Sequence, residues 1–271
     1  MESIPLALIV ALAGALTGLM MAAFGVGGGA FVVPILDALF SRLPGVEQPP
    51  FKLAVIASLV AIGIGSSWRA ARVWHDADVD RRSLQRLMLG LAPAAVLGVA
   101  LASVIHGDAL RGSFAVVLLV LGLWTIFGHP TVPAEEPAKR PLRRRLYSIG
   151  AFAGLASSLF GLGGATLLVP LLTMTSGFST VAAVNVSIIF VFLASVLSLA
   201  AYAVGYLIGM SAFGSVTVLH LELVALMTAT VIVVQQLALR WLHDLTDRPR
   251  RVLLGAYLLL AAAWMVRSAL T

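Results

Sequence analysis

The chain has 271 residues, 60% hydrophobic and 11% charged, with a mean hydropathy of +1.02. A soluble domain is about 45–50% apolar and about 25% charged, so this composition excludes a soluble enzyme, a disordered chain and a fibrous repeat, and defines a protein of the lipid bilayer. With 0 Cys there is no disulfide or thiolate metal site, and the net charge of +6 reads as Lys and Arg gathered in cytoplasmic loops rather than as nucleic-acid binding.

Charge-poor runs lie at 4–24, 30–40, 51–68, 87–105, 110–128, 146–160, 165–175, 180–208, 212–239 and 252–266. A helix needs about 20 apolar residues to cross a bilayer. The runs at 30–40 and 165–175 are too short, and each directly follows a glycine-rich break. The N-terminus has Glu2 and no basic region, so it is expected to be retained as a first helix rather than cleaved as a signal.

The breaks carry an internal repeat. Gly14, Gly18, Phe24-Gly25-Val26-Gly27-Gly28 and Pro34 recur as Gly150, Gly154, Phe160-Gly161-Leu162-Gly163-Gly164 and Pro170, always offset by 136. Two halves are expected, 1–128 and 146–271, both transmembrane. The joint at 129–145 holds four prolines and blocks of charge, and reads as an exposed linker.

Orientation follows from charge. Of 18 Lys and Arg residues, 14 fall in three stretches, Arg69–Arg86, Lys139–Arg145 and Arg240–Arg251. Placing all three inside makes the linker cytoplasmic and the halves inverted. The expected fold is an all-α polytopic membrane protein of two inverted repeats, each a glycine-broken re-entrant helical hairpin plus about three transmembrane helices.

Inverted repeats with helices interrupted near mid-membrane are the architecture of secondary transporters. Non-helical backbone within a bilayer is tolerated only where it is buried in protein or lines a water-filled cavity. Gly25, Gly27, Gly28 and Gly29, and their counterparts Gly161, Gly163 and Gly164, can adopt positive φ and let a ligand approach the backbone. Helices restarting near Ala30 and Ala165 would present free N–H groups and positive dipole ends, which suit an anion. Gly14/Gly18 and Gly150/Gly154 are read as close-packing positions.

Each hairpin is followed by a span with a polar entry, Leu53-Ala-Val-Ile-Ala57-Ser58-Leu59 and Ala182-Ala-Val-Asn185-Val186-Ser187-Ile188. Ser58 and Ser187 are candidate equivalents. Ser187, Val191, Ser195 and Ser198 share one helical face, as do Ser58, Ile62, Gly65 and Ser66. These hydroxyls and the Asn185 amide are candidate ligands for an oxyanion, balanced against bonding back to their own helices. His220, Glu222, Gln235 and Gln236 lie near span ends and are read chiefly as interface residues, with His220 and Glu222 as candidates for proton coupling. No Lys or Arg is assigned to the site.

The succession G-x-x-x-G, F-G-x-G-G, Pro, then A-x-x-x-S-L resembles the sulfite exporter TauE/SafE family, in both copies and over nearly the whole chain. The copies read FGVGGGAFVVPIL with LAVIASL, and FGLGGATLLVPLL with AAVNVSI. The resemblance implies a multi-pass permease of the bacterial inner membrane that moves sulfite, organosulfonates or related small sulfur-containing anions, usually outward. Where the family often has Thr-Ser, this chain has Ala57-Ser58 and Val186-Ser187; the second glycine run ends at Gly164 and continues Ala165-Thr166. Asn185 or Thr166 is the expected substitute donor.

The expected activity is therefore secondary transport by alternating access. Its substrate would be held by Gly25, Gly27, Gly28, Gly29, Ser58, Gly161, Gly163, Gly164, Thr166, Asn185 and Ser187. The alternatives are another small oxyanion or a carboxylate as cargo, an intramembrane enzyme built on Ser66, Ser67 and His106, or a scaffold subunit. No P-loop for ATP is present, and no cofactor or metal is expected. A homodimer and coupling to protons are expectations left open.

Overall fold

A computed structural model describes residues 3–24, 28–42, 50–75, 80–127, 143–176, 178–209, 218–241 and 247–270. All secondary structure among them is helical: α1 (Ser3–Phe24), α2 (Gly29–Phe40), α3 (Pro50–Val73), α4 (Arg81–Val104), α5 (Gly107–Phe127), α6 (Arg143–Phe160), α7 (Ala165–Ser176), α8 (Thr180–Leu207), α9 (Val218–Trp241) and α10 (Asp247–Leu270). The linker 129–145 falls mostly outside the described residues, which resume at Arg143.

Local chemistry sets several of the ends. Pro50 opens α3, where its missing N–H would have had no helical acceptor. Asp80 caps α4 by accepting from the Arg82 N–H at 3.0 Å, and Ser179 caps α8 by accepting from the Ala182 N–H at 3.2 Å. Helix α8 ends at Gly209, whose φ of +79° turns the chain out of the helix.

Four of these helices, α3, α4, α5 and α8, are long and apolar enough to cross a membrane. Their outward residues are apolar too: Val104 is 80% exposed and Leu207 81%, as a lipid-facing surface requires. The two short runs become the 12-residue helices α2 and α7. At about 1.5 Å per residue each is about 18 Å long, well short of the roughly 30 Å hydrocarbon core.

Helices distant in sequence are interleaved. Helix α1 packs on α9, and α6 on α4; α3 packs on α8, and α5 on α10; the short helices α2 and α7 lie against α3 and α8. Glycine makes the closest of these contacts. A Cβ on Gly14 would come within 2.9 Å of the Met227 carbonyl, and one on Gly18 within 2.5 Å of the Val231 carbonyl and 3.1 Å of the Gln235 backbone nitrogen. A Cβ on Gly150 would strike the Leu87 backbone, and one on Gly90 the backbone of Tyr147. These small residues let neighbouring backbones approach, as they do in other membrane helix pairs. The buried core fills the space between the layers, with Phe31, Phe51, Phe114 and Phe160 in one cluster and Leu91, Leu146, Leu168 and Phe190 in another.

Candidate functional site

The two breaks are built differently. In the second, Gly161, Gly163 and Gly164 have φ of +64°, +68° and +84°, a region in which a side chain strains the backbone. In the first, Gly28 has φ −64° and caps α2 in helical conformation, while Gly29 is already the first residue of that helix. Positive φ, expected at both breaks, therefore does not occur at Gly28. A Cβ there would meet only the far end of the flexible Met21 side chain, at 2.6 Å. Gly25 and Gly27 lie outside the described residues.

The breaks approach one another. A Cβ on Gly29 would collide with the Gly161 carbonyl and the Leu162 backbone. Ser58 on α3 is fully buried, and its Oγ lies 2.7 Å from the Val55 carbonyl of its own helix and 3.1 Å from the Gly161 carbonyl across the interface. The residue expected as a ligand for substrate is thus fastening the second break, and its one hydroxyl proton is committed to a protein carbonyl.

Beside this junction lies a cavity of about 60 Å³. One water needs roughly 10–15 Å³ on this scale, so the space suits a few waters or one small anion. Gly28 and Met21 border it on one side and Ala165, at the start of α7, on another; α3 contributes Ile62, Gly65, Ser66 and Arg69, α8 contributes Ser187 and Val191, and α9 contributes Gln235. Leu167 and Leu168 donate back to the Gly164 carbonyl at 3.2 and 2.9 Å. The N–H groups before them have no preceding turn to accept from them, so the end of α7 at the cavity is electropositive.

Among the expected site residues, the cavity brings together Gly28 and Ser187. The Ser187 Oγ is buried and has no hydrogen-bond partner. Thr166, beside Ala165, likewise has a buried and unpartnered Oγ1, although it does not border the cavity. Gly163 sits against Ile62 and Val191, at 3.0 and 3.2 Å from where its Cβ would be, and Gly164 against Phe190 at 2.8 Å. Asn185 is half-buried on α8 and is not among the residues lining the cavity. Of the span-end residues, Gln235 is 5% exposed and lines the cavity, contrary to its reading as an interface residue. Glu222 and Gln236 are exposed, and the His220 side chain lies outside the described residues.

Two charged groups escaped the sequence reading. Arg69 belongs in sequence to the basic stretch Arg69–Arg86, but it lines the cavity, half-buried, and makes no ion pair among the described residues. Its signal was the face already traced through Ser58, Ile62, Gly65 and Ser66, which reaches Arg69 one turn on. Asp37 sits in the middle of a run treated as apolar. It is fully buried on α2, with Oδ1 accepting from Arg111 Nη2 at 2.9 Å. Arg111 also donates to the Ser268 carbonyl at 3.1 Å, joining α2, α5 and α10.

Among the described residues the cavity walls therefore offer a guanidinium, an amide, the Ser187 hydroxyl and a positive helix end, with the Ser66 hydroxyl bonded back to the Gly63 carbonyl and no carboxylate. Such groups are those that can meet an anion's oxygens in a helical membrane protein. The model of the sulfite exporter TauE/SafE family matches residues 10–265, and the chain belongs to that family. It is similar to a "Probable membrane transporter protein" of Xylella fastidiosa, 27% identical over 183 residues, 65% of this chain and 66% of that protein. It is also similar to "Probable membrane transporter protein YunE" of Bacillus subtilis, 24% identical over 204 residues, 69% of this chain and 74% of the relative.

Proposed function

We propose that this protein is a secondary transporter, working as an exporter, of small sulfur-containing anions such as sulfite or organosulfonates. The observation that carries this reading is the cavity beside the glycine junction, where Arg69, Gln235, Ser187 and the start of α7 converge with no opposing carboxylate among the described residues. Such a set neutralises a monoanion and supplies several donors to its oxygens. Outward direction and sulfur chemistry rest on the family.

The interleaved packing supports two inverted repeats. Exchanging α1–α5 for α6–α10 turns the α1–α9 contact into the α6–α4 contact and returns the α3–α8 and α5–α10 contacts to themselves. With the basic stretches inside, Arg69 marks the cytoplasmic end of α3, the cavity opens inward and the linker is cytoplasmic. A bacterial inner-membrane location, coupling to protons and a homodimer belong to the same proposal. Transport is favoured over chemistry on a bound substrate because the Ser66 and Ser67 hydroxyls donate to the Gly63 and Ile64 carbonyls at 3.3 and 2.7 Å.

Flux in proteoliposomes tests the reading. Vesicles loaded with radiolabelled sulfite are expected to show saturable efflux that isethionate or sulfoacetate inhibits, and Ser187→Ala should weaken it more than Asn185→Ala. No flux for any sulfur anion would overturn the substrate assignment. The apolar walls at Ile62, Val184, Ile188 and Val191 favour a second reading, a small organic carboxylate, and acetate or lactate efflux in place of sulfite would establish it.

A further inference from the structure

A serine in a membrane helix usually satisfies its hydroxyl on the carbonyl three or four residues back. Ser58, Ser66, Ser103, Ser113, Ser148 and Ser158 all do so. The serines of α8 do not. Ser187, Ser195 and Ser198 are 1%, 0% and 0% exposed, and none of their hydroxyls has a partner among the described residues; Ser157 on α6 shares this condition. A buried hydroxyl left unbonded keeps the full cost of its lost hydration. Three of them on one helix, where the ordinary remedy is one rotamer away, require a reason.

Their placement supplies one. Ser187, Val191, Ser195 and Ser198 fall within about 80° of arc and span about 16 Å of helix. Ser187 and Val191 line the cavity. Beyond them, Ser195 faces Gly63 of α3, its Cβ 3.3 Å from where a glycine Cβ would stand. Ile62 and Val191 line the cavity, stand just before Gly63 and one turn before Ser195 on their helices, and both pack against Gly163. A line of unbonded hydroxyls thus continues from the cavity past an apolar plug, towards the other end of α8.

We propose that this face of α8 is the second half of the anion's route. Ser195 and Ser198 form a hydroxyl subsite for the oxygens of a small oxyanion once Ile62 and Val191 move apart, and Gly63 leaves the room that α3 needs to let it pass. The inference rests on the transport reading and extends it to residues outside the cavity.

Because the chain has no cysteine, single thiols report access without background. Ser195→Cys and Ser198→Cys are nearly isosteric and are checked for folding by the melting temperature in detergent. Both are reconstituted and treated with sulfonatoethyl methanethiosulfonate and with its trimethylammonium analogue, with and without isethionate. Val196→Cys, on the exposed side of the same helix turn at 46% exposure, is the reference. The expected result is at least tenfold faster modification by the anionic reagent than by the cationic one at both positions, slowed by isethionate, with no such preference at Val196→Cys. Equal rates for the two reagents, no protection, or no modification of folded protein would overturn the route. Sulfite flux is measured in parallel on the parent chain. Labelling decides the route and flux decides the transport reading, so either can fail without the other.

Discussion

Asp37 and Arg111, 74 residues apart in sequence, meet at 2.9 Å with side chains 0% and 6% exposed. The pair is single-pronged: Asp37 Oδ2 and Arg111 Nε are buried without partners. Asp108, also on α5, stands 3.6 Å from Arg111. The short helix that begins at the cavity edge with Gly29 is therefore fastened, two turns further on, to α5 and through Ser268 to α10. Breaking one partner of a buried pair costs about 3–5 kcal/mol, because a charge is left without compensation. Arg111→Ala should lower the melting temperature in detergent more than Asp37→Asn combined with Arg111→Gln. A double variant as unstable as the single one would show that the pair's charge is not what holds α2.

Arg69 is the charge that a cargo would meet. Hydrogen bonds to a charged group are worth about 1.5–3 kcal/mol, which corresponds to about 10–100-fold in affinity. Arg69→Gln is expected to raise the half-saturating anion concentration by that factor in the flux assay, and Arg69→Lys by less, since it keeps the charge and loses the fork. Unchanged saturation in Arg69→Gln would remove Arg69 from the site.

Close backbone approach makes Gly150 intolerant. Gly150→Ala pushes a methyl into the Leu87 backbone, and overpacking of this kind costs about 1–3 kcal/mol. Gly112 on α5 has nothing within 4 Å of its would-be Cβ, so Gly112→Ala should be neutral or slightly stabilising through helix propensity. Thermal unfolding of the two variants side by side checks the contrast.

At the start of α4, burial pushes the Asp80 carboxyl up, but hydrogen bonds from the Ser83 hydroxyl and the Arg82 and Ser83 N–H groups, with the Arg86 charge, outweigh it and hold it below the ordinary 3.8. A carboxylate lowered on folding stabilises fully above its unfolded value, and that contribution is lost as the pH falls through its folded one. Asp80→Ala should cost about 0.5–2 kcal/mol near neutral pH, as loss of an N-cap does. The difference from the parent chain should shrink as the pH drops below about 4, in melting curves taken along a pH series.

The helices were legible because membrane burial demands long apolar runs, and the breaks because glycine at fixed spacing has few other uses in a bilayer. The run at 165–175 became α7 over Ala165–Ser176 for that reason. The division of labour between Ser58 and Ser187 was not legible. Their local sequences match, yet one hydroxyl closes on Gly161 while the other is buried beside the cavity without a partner among the described residues, a difference set by how the helices pack in space. Arg69 was misread because a basic residue at a span end serves orientation and binding equally well in sequence. Asp37 was passed over because its partner lies in a separate run, and only the packing of α2 and α5 in space pairs them.

Interleaving has a consequence for how the molecule is made. Helix α1 packs on α9, and about 190 residues separate the end of one from the start of the other. At roughly 5–20 residues per second, α1 waits some ten to forty seconds for the surface that receives Gly14 and Gly18. Helix α6, by contrast, emerges with α4 already behind it. The nascent chain thus carries α1 as a provisional guest of the lipid, and its contact with α9 closes only after the intervening helices have been made.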